Sequence, residues 1–416
     1  MNVLTKICAL NICVFLAPSV FADFINDSTG KLELKNFYYN RDYRDPDATQ
    51  SKREEWAQGF ALQIESGFTE GTVGVGIDVL AMAGFKLDSS ASRTRTGLLP
   101  VRESGKAEDS YGEIGITAKL RASQSTLKIG TLAPPPLPIL EKNLGTLQPQ
   151  YFKGMHLRSQ ELQDLTLDVG RITHVNQGNS TNFEALGVGT GSRKNIVVRG
   201  KNQSTAFDFA GGSYAFSKHL TASYYRSALD DLYTQHAATV QHTYPVAENQ
   251  SLKSELRYSR SADNGNTNID NTMWGAALSY SLGSHKWTGA YQTMAGKTGY
   301  ASLRGSFSSV FNFFQYSDFA NKDEKSWQAR YDYDFTALGV PGLSMFTRYG
   351  SGSNVDRGPG RSDGREWERD IDVTYAFQNP TLKNVKVRLR NAMVRSNFER
   401  NIDENRLIVS YERPLW

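Results

Sequence analysis

Cysteine is nearly absent from this chain. Only Cys8 and Cys13 occur in 416 residues, and both lie near the start. Beyond residue 13 there is therefore no disulfide, no thiolate zinc site and no cysteine nucleophile. Long apolar runs are missing too. After the first 22 residues no stretch holds 18 consecutive apolar residues, so no transmembrane helix is expected. Net charge is only +4, or +3 without Lys6, which is too small to point to nucleic acid. His156, His174, His219, His236, His242 and His285 stand in no recognised zinc or hydrolase spacing. An outer-membrane lipase would need Ser and His together on the lipid face near the rim, and His242 with Ser254 is a combination open to it. No glycine-rich phosphate loop opens a helix, and no cofactor is expected. No repeat of fixed period appears, which argues against propellers and solenoids. No linker or shift in composition divides the chain.

What is present begins with MNVLTK followed by ICALNICVFLAPSVFA. One early cation, an apolar centre and small residues at Val20 and Ala22 read as a secretory signal cleaved after Ala22. Residues 1–22 would then be removed, leaving residues 23–416 as a single domain. Mean hydropathy is −0.48, which looks soluble. That value misleads for a barrel, whose lipid face is hidden in alternation.

Alternation is the dominant signal. Phe60, Leu62 and Ile64 share a parity, as do Val73, Val75, Ile77 and Val79. Ile114, Ile116, Ala118 and Leu120 follow, then Leu127 and Ile129. Trp274 to Leu282, Trp327 to Phe335, and Ile371 to Phe377 repeat the pattern. The last 34 residues hold two such runs. Val385, Val387 and Leu389 alternate with Lys386, Arg388 and Arg390; Leu407, Val409 and Tyr411 alternate with Arg406, Ile408 and Ser410. Side chains of a strand point to opposite faces with period two. Each run is the length of a tilted membrane strand, about ten residues.

Connections alternate in size. Short ones fall at 69–71, 122–125, 163–164, 217–219, 247–250, 283–285, 338–342 and 380–382. Longer polar ones fall near 41–54, 86–108, 133–150, 176–204, 262–270, 295–323, 352–366 and 397–404. This pattern predicts an all-β fold: a transmembrane antiparallel β-barrel of about 18 strands in the bacterial outer membrane. Residues 151–175 and 205–244 alternate poorly. Trp56, Phe68, Tyr111, Trp287, Trp327, Trp367, Tyr411 and Trp416 are expected in two interfacial girdles. The charge runs SKREE (51–55) and NKDEK (321–325) are expected as solvated loop tips.

Parity assigns basic residues to the lumen on neighbouring strands. These are Arg330, Arg348, Lys386, Arg388, Arg390 and Arg406, with Lys35 next to them once the barrel closes. Asp332, Asp334, Asp370 and Asp372 also face inward and could hold the arginines in place. A guanidinium stays charged and its fork matches a carboxylate. A row of them in a low-dielectric lumen would favour anions.

With those residues in hand, the chain resembles the OprD family of outer-membrane substrate-specific channels. The likeness spans residues 23–416. It is carried by LKNFYYNRDYRD (34–45), QGFALQIESGFTEGTVGVGIDVLAMAGFKLDSS (58–90), TGLLP (96–100) and LPIL with PQYFKG (137–154). YSDFANKDEKSWQARYDYDF (316–335), GVPGL (339–343), EWERDI (366–371) and DENRLIVSY (403–411) complete it. The resemblance implies infolded loops forming a constriction, a basic ladder, and facilitated diffusion of small carboxylate-bearing solutes. The subgroup for aromatic and other organic acids looks nearest, by the ending VSYERPLW. Tyr316 and Asp318 match the family's infolded seventh loop, which implies an acidic or hydroxyl side of the eyelet opposite the ladder. In the third loop the family usually carries an arginine where this chain has Thr146, within NLGTLQPQ. Pro134, Pro135 and Pro136 stiffen the same loop.

The implied partners are small anionic or zwitterionic solutes, outer-membrane lipid and lipopolysaccharide, the barrel assembly machinery and a weak homotrimer. The alternatives are a nonspecific or sugar-type (chitoporin-like) diffusion porin and, from another class, an outer-membrane enzyme or adhesin.

Overall fold

The computed structural model describes residues 22–416, except 142, 144 and 192. The expected leader lies almost wholly outside the described residues. After a short helical turn, Ala22–Asn26, eighteen antiparallel strands build one wall. The first six are β1 (Thr29–Tyr43), β2 (Lys52–Glu65), β3 (Val73–Asp88), β4 (Ser110–Ala122), β5 (Ser125–Leu132) and β6 (Tyr151–Ser159). Next come β7 (Leu165–Asn176), β8 (Phe207–Ser217), β9 (Leu220–Leu229), β10 (Tyr233–Ala247), β11 (Gln250–Asp263) and β12 (Asp270–Leu282). The last six are β13 (His285–Gly296), β14 (Lys325–Asp334), β15 (Leu343–Val355), β16 (Gly364–Ala376), β17 (Val385–Ser396) and β18 (Ile402–Pro414). A two-residue ladder, Glu184–Ala185, touches β7 but does not enter the wall, because β7 pairs directly with β8.

Each strand pairs with its sequence neighbours, and β1 also pairs with β18 from Lys31↔Pro414 to Tyr43↔Ile402. Closure leaves no unpaired edge, which the hydrocarbon layer demands because it offers no water to free N–H and C=O groups. The predicted parities hold. Val73, Val75, Ile77, Ile114, Ile116, Trp274, Leu278 and Trp327 all lie on the exposed outer face.

Several expectations need correction. A turn at residues 230–232, on the long-loop side, was not recognised; it is only three residues long and looks like the turns of the other side. Tyr111 is not a girdle residue: it points inward, and its hydroxyl donates to the Leu98 carbonyl at 2.9 Å. Phe68 sits in a turn, where Lys119 and Arg121 lie over its ring. The two charge runs are not free tips. Glu55 and Glu324 are both fully buried, because the long loops fold back over the strand ends.

The poor alternation of β6 to β10 has two causes. The β6–β7 pairing slips register between Lys153 and Gly154, so parity breaks there. The inner face of the following strands is itself apolar. Phe207, Phe209, Tyr225, Leu229 and Tyr233 point into the lumen and form one core with Leu137, Ile139 and Leu140 of the 133–150 connection. Leu186, Val188, Ala301 and Leu303, from two further long loops, join it. Three inward-turned loops thus fill one side of the lumen and pack on β6–β10. The polar wall from β14 through β18 to β1 lies outside this core.

Candidate functional site

The basic wall is assembled by strand register. Arg330 on β14 stands opposite Arg348 on β15, and Arg348 stands opposite Asp370 on β16. Asp372 stands opposite Arg390 on β17, Arg390 opposite Arg406 on β18, and Arg406 opposite Tyr39 on β1. One row crosses five successive pairings. Like charges directly opposite repel, so the row needs carboxylates between them.

Those carboxylates are present and shared. Asp372 accepts from Arg388 at 2.7 Å. Arg390 Nε lies 2.9 Å from the same carboxylate, although off the hydrogen-bond direction. Glu404 accepts from Arg41 at 2.7 Å, Arg406 at 2.6 Å and the Tyr39 hydroxyl at 2.5 Å. Two carboxylates therefore hold four guanidiniums, so within this group of six the cations outnumber the acids. Asp370 takes Arg348 at 2.7 Å, and Asp332 takes Arg330 at 2.8 Å. Lys35 pairs with Glu33 at 3.1 Å. Asp334 does not join the group; it caps the turn 335–338 by accepting from the Thr336 backbone N–H.

Burial sorts the row into two kinds. The side chains of Arg348 and Arg406 are 9% and 7% exposed and are locked by partners. Arg388 is 42% exposed, and Lys386 is exposed as well. Arg388 and Arg330 line a cavity of about 320 Å³ with Asp332, Phe346 and Asp372. Arg388, Lys386 and Arg330 are thus the more open cations of the row, and Arg390, 15% exposed, lies partly open beside Arg388.

The 297–324 loop docks on this wall. Arg348 donates to the Phe313 carbonyl at 2.9 Å and its guanidinium lies 3.9 Å from the Phe314 ring centre. Gln315 donates through its backbone to Asp370 and through its side chain to Glu404. The backbone N–H groups of Tyr316 and Ser317 donate to the two oxygens of Glu368 at 2.9 and 2.7 Å. Tyr316 does not stand across the lumen from the ladder. Its ring lies under Arg41, 4.7 Å from the guanidinium carbon to the ring centre. Burial pushes its hydroxyl up to about 12 against the pull of Arg41. Asp318 also departs from the expected place. It accepts from Lys194 at 2.6 Å and from Ser308 at 2.8 Å. Burial opposes its ionisation, but the Lys194 charge outweighs that and holds it below the usual carboxylate range. The expected opposition fails because the loop's carboxyl and backbone groups find partners within the protein.

The 133–150 connection reaches the same place from the other side. A Cβ on Gly145 would lie 3.8 Å from the Arg406 guanidinium. Thr146 turns away: its hydroxyl donates to the Gln148 carbonyl at 2.6 Å. Gln148 in turn donates to the Phe60 and Ala83 carbonyls, which pins the loop to β2 and β3.

Sequence reasoning missed Arg41, Glu404, Glu368 and Lys194. Arg41 shares the parity of Lys35 but was placed in a connection. Glu404 shares that of Arg406. Lys194 lies in an irregular loop and carries no periodic signal. His242 and Ser254 do stand opposite each other on β10 and β11, yet among the described residues no hydrogen bond joins their side chains.

Against known proteins, residues 22–415 match the family described as outer membrane porin, OprD family. Porin D of Pseudomonas aeruginosa is 36% identical, over 93% of this chain and 91% of its own length. The crystal structure of P. aeruginosa OpdQ is 50% identical with a TM-score of 0.88, and the match covers 95% of this chain and 100% of that one. The structure of P. aeruginosa OpdK with vanillate is 37% identical with a TM-score of 0.86, over 94% and 100% of the two chains. A closed eighteen-strand wall, long loops turned inward onto a row of arginines, and relatives that match it nearly end to end place this chain in the OprD family of outer-membrane porins.

Proposed function

We propose that this porin passes small solutes that carry a carboxylate, such as aromatic and other organic acids or amino acids, and selects them by the basic row. The observation that carries the reading is the sharing of single carboxylates along β16–β18 and β1, where Asp372 and Glu404 each serve two arginines. A carboxylate arriving at Arg388 meets a guanidinium whose partner is already divided with Arg390. It can share that charge without breaking the protein's own pair. Each contact is therefore weak enough to leave, as passage requires. Arg388 and Arg390 are two residues apart on one face, about 7 Å along the strand. A solute could move between them without regaining full hydration.

OpdK, which was solved with vanillate, supports an aromatic acid as one member of the solute class. No bond is made or broken in this reading. The test is uptake of a panel of radiolabelled carboxylates by a strain lacking its own porin and carrying this one, with neutral sugars as comparison. Faster entry of carboxylates is expected. Equal entry of sugars and acids of the same size would favour a nonspecific porin.

A further inference from the structure

Four successive inward positions of β16 are acids. Glu366, Glu368, Asp370 and Asp372 are all buried. The 297–324 loop meets them in order. Asp370 accepts from the Gln315 N–H, and Glu368 accepts from the N–H groups of Tyr316 and Ser317. Glu366 accepts from the Ser317 hydroxyl at 3.0 Å and from the Asn321 side-chain amide at 3.0 Å. The loop brings one more acid of its own, Glu324, which stands just before β14 and is fully buried.

Glu324 and Glu366 converge over Gly352. Register puts Gly352 of β15 directly opposite Glu366. A Cβ on Gly352 would lie 2.0 Å from Glu324 Oε1, so the missing side chain leaves room for that carboxyl. The Asn321 amide nitrogen donates to both acids, to Glu324 Oε2 at 2.9 Å and to Glu366 Oε1 at 3.0 Å. One nitrogen thus holds the two carboxyl groups side by side.

No cation balances the pair. Among the described residues neither Glu324 nor Glu366 makes an ion pair, and the charged groups around them are engaged elsewhere. Asp318 is held by Lys194 of the 176–204 connection at 2.6 Å. Lys322 is held by Asp356 and Asp323. On the wall, Arg348 is taken by Asp370, and Glu368 adds a further buried acid. Arg193 turns to the Phe398 carbonyl. Two adjacent buried carboxylates without a cation do not both stay ionised, because burial and mutual repulsion favour keeping one proton between them. An oxygen marks its place. Glu324 Oε1 is buried and has no hydrogen-bond donor among the described residues. A proton kept by Glu366 supplies that donor. Burial pushes Glu324 from an ordinary 4.5 up to about 7, with the Asp318 charge adding to the rise against the Asn321 bonds.

We propose that Glu324 and Glu366 form a proton latch: one shared proton fastens the end of the 297–324 loop to β16, and its loss loosens the loop and widens the pore. When the proton leaves to water, two adjacent negative charges remain in a buried place, and undocking hydrates them. The direction follows from linkage. A carboxyl raised in the docked loop and ordinary in the loosened one favours docking fully below about pH 4.5, and that advantage is lost as the pH rises through about 7. The docking equilibrium changes by at most about tenfold per pH unit in between. The latch sets the width of the pore, whichever solute passes, and it stands apart from the basic row.

The test is single-channel recording of the full barrel in a planar bilayer at fixed salt, from about pH 5 to about pH 8. Wild-type flicker should rise several-fold between about pH 5 and about pH 7 and level off above that. Glu324→Gln keeps a neutral group with a donor and removes the titration. It should be as quiet at the alkaline end as the wild type is at the acid end. Glu103→Gln, at an exposed loop position, is the control and should follow the wild-type profile. Heat-modifiable migration checks that each variant is folded, and Glu366→Gln serves if Glu324→Gln is not. Wild-type flicker that is flat across this range would overturn the proposal. So would a folded Glu324→Gln barrel that keeps the wild-type profile, or one that flickers at every pH, since the loop would then need the charge.

Discussion

At the scale of the residue, the arginine row is governed by sharing. Arg388 and Arg390 depend on one carboxylate, Asp372, whose side chain is only 5% exposed. Replacing both arginines by Gln keeps hydrogen-bond donors but leaves Asp372 without a counter-charge. The local surplus then becomes a deficit. In a narrow lumen that change is weakly screened compared with an exposed pair. Reversal potentials in a salt gradient should move toward cation preference, and carboxylate uptake should fall, while the folded barrel persists. Unaltered reversal potential and uptake would falsify the ladder reading. Glu404→Gln tests a different property. Glu404 is fully buried and bonds Tyr39, Arg41, Arg406 and Gln315. Its loss leaves two guanidiniums uncompensated, which typically costs about 3–5 kcal/mol when one partner of a buried pair is removed. The folded form should convert to the unfolded one at a lower temperature in gel-shift assays.

The arginines themselves were legible because a strand displays its residues with period two, and a lumen position needs only a parity. Their partners were legible only in part. Asp370 and Asp372 share a strand with clear alternation, whereas Arg41 lies beyond the point where the pattern of β1 seemed to stop. Tyr316 and Asp318 were found by resemblance, but nothing local in the sequence says which wall a loop will meet.

At the scale of the element, the 297–324 loop is held by side chains of the wall bonding its backbone. Glu368 takes two successive N–H groups, and Arg348 takes a carbonyl. Gly350 on β15 makes room for it: a Cβ there would lie 2.4 Å from the Phe314 ring. Gly350→Ala should therefore push Phe314 and the loop tip away from the wall. Glu368→Gln should loosen the same tip, because an amide offers one acceptor oxygen where the carboxylate offers two. Single-channel recordings of either variant should show larger conductance steps or more frequent flicker than the wild type. Deleting residues 300–315 should raise conductance further, although it also removes buried Tyr300, Leu303 and Phe314 from the core. Conductance unchanged in all three would mean that this loop does not narrow the pore. The opposite side of the lumen explains what the sequence concealed. Strands β8 to β10 carry large apolar residues on the inside too, Phe207, Phe209, Tyr225, Leu229 and Tyr233, because that face is buried under loops, so period-two alternation fades where the barrel is most filled.

At the scale of the whole molecule, everything depends on one seam. Seventeen of the strand pairings join neighbours in sequence, but β1 and β18 meet only when the chain has come full circle. The seam must therefore be specified by its own side chains. The far end is fixed by Trp416. Its ring lies against Gly30, where an added Cβ would sit 2.7 Å from it, and its Nε1 donates to the Ser28 hydroxyl at 3.1 Å. The Leu415 N–H donates to the Gly30 carbonyl at 2.8 Å. Gly30 is thus small because the last residue needs its space. Pro414 ends the pairing one residue earlier and turns the chain so that Trp416 reaches back, which accounts for its break in phase with Leu407, Val409 and Tyr411. If cleavage follows Ala22, only a few residues precede this contact, and N-terminal sequencing of outer-membrane material should begin at Asp23. Gly30→Val would drive the branched side chain into the indole, with an overpacking cost of roughly 1–3 kcal/mol. The Trp416–Ser28 and Leu415–Gly30 bonds would be strained together. The expected outcome is a lower conversion temperature for the heat-modifiable form, with the pore's ion selectivity intact, because the shared-carboxylate part of the row, at Arg388, Arg390, Arg406 and Arg41, does not touch the Trp416–Gly30 contact. A Gly30→Val barrel as heat-resistant as the wild type would show that closure is secured by the ladder alone and not by the terminal ring.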